Sequence, residues 1–239
     1  MNHVVLSGLI KGNDFQDVSN DGILLRVATR IGRGNNADPD VFNVIAYGKA
    51  AEFVRQHAQS GLRIVAEGRL SSEKLETSNY HTVITMHRVL SIGDSRTGVD
   101  FTKAVVSGTL RADEVKTTSK GTNLIPFNVK NVRRYKTKEG NEGEYTTYFN
   151  ATAWSDKADA LVQEGRIPCN DEFAVINGIL KPNSYEKNGE TVEKIEIWVD
   201  DITFTPQNES SENNESTQSQ EEPPTFSETD FKDGESAPF

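Results

Sequence analysis

Apolar and polar residues alternate in short runs along most of the chain, each run closed by Gly, Asn or Asp. Alternation of this kind predicts β-strands, because successive side chains of an extended backbone point to opposite faces. In the first half the pattern places strands at about residues 3–11, 22–31, 40–47, 62–70 and 79–92. The period changes once, in "GKAAEFVRQHAQSG" between the third and fourth runs. There Ala51, Val54 and Ala58 fall at i, i+3 and i+7 and Gly61 follows as a stop signal, which predicts a short helix.

The pattern then repeats. "VVLSG" (Val4 to Gly8) returns as "AVVSG" (Ala104 to Gly108), "FNVIAY" (Phe42 to Tyr47) as "FNATAW" (Phe149 to Trp154), "IVAEGRL" (Ile64 to Leu70) as "AVINGIL" (Ala174 to Leu180), and "ITMHRV" (Ile84 to Val89) as "IWVDDI" (Ile197 to Ile202). Four matches in one order, with slowly growing offsets, imply a duplication with loop insertions. The expected division is a domain at 1–93, a linker at 94–102, a second domain at 103–205 and a tail at 206–239. The second repeat also carries a helix signal, "SDKADALVQEG", in which Ala158, Leu161 and Val162 are expected to share a face. Five strands with a helix between the third and fourth is the layout of the OB-fold, a Greek-key barrel, so the expected class is all-β with two tandem barrels. Such a fold alone assigns no function.

Charge changes the picture of the tail. From Pro206 the chain reads "PQNESSENNESTQSQEEPPTFSETDFKDGESAPF", with too few apolar residues to offset the entropy of ordering a backbone, and is expected to be disordered. It carries one Lys against nine Asp and Glu, so it holds −8 of the formal net charge of −10. The body is therefore near neutral and can accommodate a locally basic groove. Cys169 is the only cysteine, which excludes an intrachain disulfide and a thiolate-rich zinc site, and the four histidines (His3, His57, His81, His87) show no metal-ligand spacing. "GRGNN" lacks the Lys-Ser/Thr of a phosphate loop, and no cluster of carboxylates suits a two-metal centre. The expectation is a non-enzyme without cofactor or metal. No apolar run approaches the ~20 residues that cross a bilayer, and the first residues do not read as a signal peptide, so a cytoplasmic setting is expected.

The candidate chemistry lies in the third run of the second repeat, "TTYFNATAW". Alternation sends Phe149, Ala151 and Ala153 to the core and Tyr148, Asn150, Thr152 and Trp154 to the opposite face. Two aromatic rings flanking polar residues make a poor core and a good stacking platform for unpaired bases. The preceding loop, "NVRRYKTKEG", adds Arg133, Arg134, Lys136 and Lys138 as cations for phosphates, with the aromatic Tyr135 among them. The first repeat offers Tyr47 on its outward parity, with Arg26, Arg30 and Arg33 at the matching loop.

The segments "VVLSGLI", "LLRVATRI", "DVFNVIAYGKAAEFV" and "GLRIVAEGRL", followed by an acidic tail ending in Pro-Phe, resemble the bacterial and phage single-stranded DNA-binding proteins. That resemblance implies stacking positions in the loop after strand two, at both ends of strand three and in the hairpin after strand four. Here these fall on Tyr135, Tyr148, Trp154 and Tyr185 in the second repeat, and on Arg33, Val41, Tyr47 and Leu75 in the first, where only Tyr47 is aromatic. The second repeat is thus the expected DNA face, with Arg133, Arg134, Lys136, Arg30 and Arg33 as phosphate contacts. The resemblance also implies that the tail tip, with Asp233, Glu235, Pro238 and Phe239, docks on replication and repair proteins, and that a tandem chain forms a homodimer presenting four barrels. The alternative is an OB-fold protein-interaction module of a replication complex whose DNA contact is incidental.

Overall fold

A computed structural model describes residues 1–18, 21–31, 38–75, 79–94, 98–112, 114–136 and 140–205. Strands β1 (Asn2–Val18), β2 (Gly22–Thr29), β3 (Asp40–Ala46), β4 (Arg63–Lys74) and β5 (Tyr80–Gly93), with helix α1 (Lys49–His57) between β3 and β4, form the first half. The second half contains β6 (Phe101–Ala112), a short β7 (Lys116–Thr117), β8 (Asn123–Lys136), β9 (Glu142–Trp154), helix α2 (Asp156–Gln163), β10 (Cys169–Lys187) and β11 (Glu190–Phe204). Each half closes on itself as an OB-fold barrel. β1 is long enough to pair with β4 through Val4–Leu9 and with β2 from Leu9 onward, bending at an irregularity between Lys11 and Gln16. A short parallel contact between β3 and β5 completes the ring. β6, β8, β9, β11 and β10 repeat this circuit. The corner of each circuit carries a glycine, because an added Cβ at Gly8 would lie 2.5 Å from the Ala28 carbonyl oxygen and one at Gly108 would overlap the Lys130 carbonyl oxygen.

The inward parity is apolar, as the alternation requires. Phe42, Val44 and Ala46 of β3 are buried, as are Phe149, Ala151 and Ala153 of β9. Each of the largest, Phe42, Phe127 and Phe149, contributes roughly 1.5–3 kcal/mol by leaving water. α1 caps its barrel with Ala51 and Val54, and Ala58 is buried just past its end. α2 corrects one expectation: Ala158 and Leu161 are buried, but Val162 is 45% exposed. One position past Leu161 it lies about 100° further round the helix, beyond the buried stripe.

The halves are joined by antiparallel pairing of β1 with β6, and Met1–Thr205 packs as one compact unit. In this pairing Val4 lies opposite Ala104, its own counterpart in the duplication. The seam therefore has the form of an isologous two-fold contact built within one chain. The segment expected as a linker is held across the first barrel: Ser7 donates to the Val99 carbonyl at 2.7 Å, the Arg30 amide donates to Asp100 at 2.8 Å, and Arg63 pairs with Asp100. Residues 206–239, including Asp233, Glu235, Pro238 and Phe239, lie outside the described residues.

Candidate nucleic-acid interface

The β8–β9 hairpin extends past the end of its barrel, and its register decides which side chains share a face. Lys130 lies opposite Tyr148, Asn128 opposite Asn150, Pro126 opposite Thr152 and Leu124 opposite Trp154. Directly paired side chains point the same way, so these residues form the barrel's outer face. Tyr148 is 57% exposed there, and Lys130 has no ion-pair partner among the described residues. Alongside runs a groove of about 340 Å³ whose walls include Arg111, Glu114, Lys116, Asn128, Asn150 and Thr152. Thr152 is buried beneath it, bonded to the Glu196 carboxylate.

Trp154 differs from its expected presentation. It is half-buried against Trp198, with ring centroids 5.4 Å apart and planes tilted by 54°, and its indole N–H is buried without a partner among the described residues. Lys181 lies over the outer ring of this pair, its Nζ 5.1 Å from the Trp198 centroid. The aromatic pair thus forms the end wall of the face, and Tyr148 is its projecting ring.

The loop residues split between two faces. Arg134 and Lys136 share the side of Tyr148, but each is paired across the hairpin, Arg134 with Glu144 and Lys136 with Glu142, both at 2.9 Å. Arg133 and Tyr135 point to the other side, opposite Tyr145 and Gly143. Tyr135 covers Gly143, where an added Cβ would sit 2.6 Å from the ring. Tyr185 is exposed near the end of the β10–β11 hairpin, opposite Val192. Lys138 and Arg33 lie outside the described residues.

The first barrel's outer face is covered by the second barrel's β10–β11 hairpin. Lys181 pairs with Asp40 at 2.8 Å, the Asn43 amide donates to the Glu193 carboxylate, the Glu193 N–H donates to His81 Nδ1 at 3.1 Å, and Lys194 donates to the Tyr80 carbonyl at 2.9 Å. Asn43, Ile45, His81 and Thr82 are buried as a result, and Leu24, Ile45 and Val83 form a small second core with Val18, Tyr47 and Leu75 against it. Tyr47 is thereby half-buried, and burial, followed by the nearby Glu73 and Tyr145, raises its phenolic pKa. It is not brought together with Tyr148. Arg30 is exposed at the rim, its backbone held by Asp100. A face committed to intrachain polar contacts has no use for the stacking rings that the first repeat lacks at Val41 and Leu75.

Residues 101–205, the second barrel, match the model of the single-strand binding protein family. That barrel belongs to this family. Among solved structures, a deletion mutant of the single-stranded DNA binding protein from Thermus aquaticus superposes with a TM-score of 0.65 at 16% identity, covering 89% of this chain and 98% of that one. The wild-type Thermus aquaticus protein gives 0.63 at 14% identity, covering 89% and 97%. At such identities the likeness establishes the fold, and it extends over both barrels. Comparison with curated protein sequences returns no match.

Two parts of the single-strand binding barrel were not singled out from its sequence. Lys130 is the direct cross-strand neighbour of Tyr148, and Tyr145 donates its hydroxyl to the Ser72 carbonyl of the first barrel at 3.3 Å. The first could have been found by pairing "KNVRRYK" with "EGEYTTY" in antiparallel order, which also sets Arg134 against Glu144. The second had no signal, since its partner lies in the other repeat. Among the described residues no group of three or more His, Cys, Asp or Glu is placed to hold a metal ion, and no helix among them is long and apolar enough to cross a membrane.

Proposed function

We propose that the chain is a non-catalytic protein that binds and protects single-stranded DNA, using the outer face of its second barrel, and that it serves replication, recombination and repair in the cytosol of a bacterium or a phage-infected cell. The observation that carries this reading is the exposed ring of Tyr148 beside Lys130, on a barrel face that, among the described residues, the β10–β11 hairpin does not cover. Tyr148 stacks an unpaired base, Trp154 backs the adjoining part of the face, and Tyr135 and Tyr185 extend the surface on the two hairpins. Lys130 and Arg133 take phosphates most readily, since neither is engaged in an ion pair among the described residues. Arg134 and Lys136 must exchange Glu144 and Glu142 for phosphate, so their net contribution is smaller. Recognition through base faces and phosphates is weakly dependent on sequence and strongly dependent on salt.

Partner recruitment is assigned to the tail, where Phe239 and Pro238 offer an apolar tip and Asp233 and Glu235 an acidic approach, suited to a pocket with an apolar floor and a basic rim. Two copies of the chain would present four barrels. Titration with oligo-dT of increasing length, followed by tryptophan emission and by solution mass, tests the reading. Binding should perturb the Trp154–Trp198 pair; absence of binding at low salt, together with stable capture of a protein partner, would favour an interaction module instead.

A further inference from the structure

The seam between the barrels has two sides related by the internal two-fold, and the duplication register identifies equivalent residues on them. Leu9 pairs with Ala28 as Thr109 pairs with Lys130, and Ala28 pairs with Val41 as Lys130 pairs with Tyr148. On the other strands, Gly68 pairs with Met86 as Gly178 pairs with Val199, with His87 and Asp200 each at the bulge that follows. Arg133 is thus equivalent to Ile31, Tyr145 to Asp38, Arg69 to Ile179 and His87 to Asp200.

The four members from one side line a single cleft of about 330 Å³, in which Arg69 and His87 of the first barrel face Arg133 and Tyr145 of the second across Asn131 and Thr147. No carboxylate lines it. Arg69, His87 and Arg133 have no ion-pair partner among the described residues. The opposite side carries Asp38, Asp40 and Asp200 at the equivalent positions, with Asp40 paired to Lys181 and Asp200 to Lys103 at 3.0 Å. Residues 98–100 also run across that side, held through the Val99 carbonyl and the Asp100 carboxylate. Of two copies of one ancestral surface, one is therefore an open cationic cleft, and the other is crossed by residues 98–100 with Asp40 and Asp200 matched by lysines.

We propose that the Arg69–His87–Arg133–Tyr145 cleft holds the sugar–phosphate backbone of a single strand that passes from the second barrel to the first, and that the strand crosses the molecule on this side alone. The inference rests on the single-strand reading above. Its volume lies at the lower end of small-ligand sites, which suits one nucleotide in transit. Tyr145 supplies a ring beside the cations, and its hydroxyl is fixed by Ser72. The opposite side has Ile179, Asp200 and Ile31 at the positions equivalent to Arg69, His87 and Arg133, so it lacks this cationic cluster.

The test is equilibrium binding of labelled dT oligomers of ~8 and ~30 nucleotides to the full chain, since one OB barrel covers about 4–16 nucleotides. Arg69→Ala should weaken the longer oligomer by about tenfold, as loss of a charge-assisted contact does. It should also lower the slope of log K against log salt by about 0.7. The shorter oligomer, held on the second barrel, should bind as to the wild type, which also reports that the variant is folded, and Arg69→Lys should restore most of the loss. Unchanged affinity for the longer oligomer, or equal loss for both lengths, overturns the cleft. If Tyr148→Ala weakens the short oligomer while Arg69→Ala affects neither, the single-strand reading stands and the cleft alone falls; if the wild type binds neither length, both fall.

Discussion

Lys181 and Asp40 are the point at which the β10–β11 hairpin is fastened to the first barrel, and removing one of them should be costly. Their side chains are 8% and 7% exposed, their charged atoms are 2.8 Å apart, and Lys181 also rests over Trp198. Lys181→Met keeps most of the aliphatic volume but leaves the Asp40 carboxylate in a nearly dry site with its main counter-charge gone. Uncompensated burial of this kind costs about 3–5 kcal/mol, far above the ~1 kcal/mol ceiling typical of exposed pairs. With a urea m-value of about 2–3 kcal/mol/M, the unfolding midpoint should fall by about 1–2.5 M. Asp40→Asn in the same background should recover most of the loss, because a neutral pair has no charge to desolvate. Denaturation followed by tryptophan emission gives the four corners of the cycle, and hydrogen exchange at Ile45 and Thr82 reports whether the hairpin lifts. Single-variant losses below ~1 kcal/mol that simply add in the double variant would refute the assignment of this pair as a buried fastening.

Gly108→Ala should destabilise the second barrel by about 2–3 kcal/mol, because its Cβ meets a backbone carbonyl that cannot move aside; a melting scan should show a loss of about 5–10 °C. Glu73 has a raised pKa, chiefly from burial and despite a bond from Ser71, so its stabilising contribution is complete below the ordinary carboxylate value and is lost as pH rises through its raised folded value. Glu73→Gln should therefore raise stability at pH 7 by ~0.5 kcal/mol after solvent screening and make no difference at about pH 3, as read from urea midpoints. Deleting Ser236–Phe239 should leave oligo-dT binding unchanged, since it removes none of the tail's acidic side chains, while abolishing capture of a replication protein by the immobilised chain.

The barrels were legible because their information is local. Alternation at Phe149, Ala151 and Ala153 fixed the inward parity of β9, and the shift from period two to Ala51, Val54 and Ala58 located α1. Repetition of "VVLSG" as "AVVSG" marked the duplication, although not that the two copies lie antiparallel across the seam. What escaped were contacts between distant segments. Nothing around Trp154 announces Trp198 as its neighbour, and nothing near Val41 or Asn43 announces a hairpin more than a hundred residues away. Arg134 and Lys136 read as free cations only until the hairpin is closed, when Glu144 and Glu142 come opposite them. The difference between the two sides of the seam is likewise invisible along the chain, because the cleft draws on strands from both repeats.

The central claim, that single strands bind by stacking on the second barrel's outer face, is tested most directly by Tyr148→Ala. The ring is 57% exposed and supports little of the core, so the variant should melt with the wild type. Loss of one stacked base is worth about 1–3 kcal/mol, so affinity for oligo-dT at fixed salt should fall by about 5- to 150-fold. The corresponding substitution in the first barrel, Val41→Ala, should leave binding within about twofold, because that face is occupied by the hairpin. Wild-type affinity in Tyr148→Ala, measured on a folded protein at the same salt, would contradict the account.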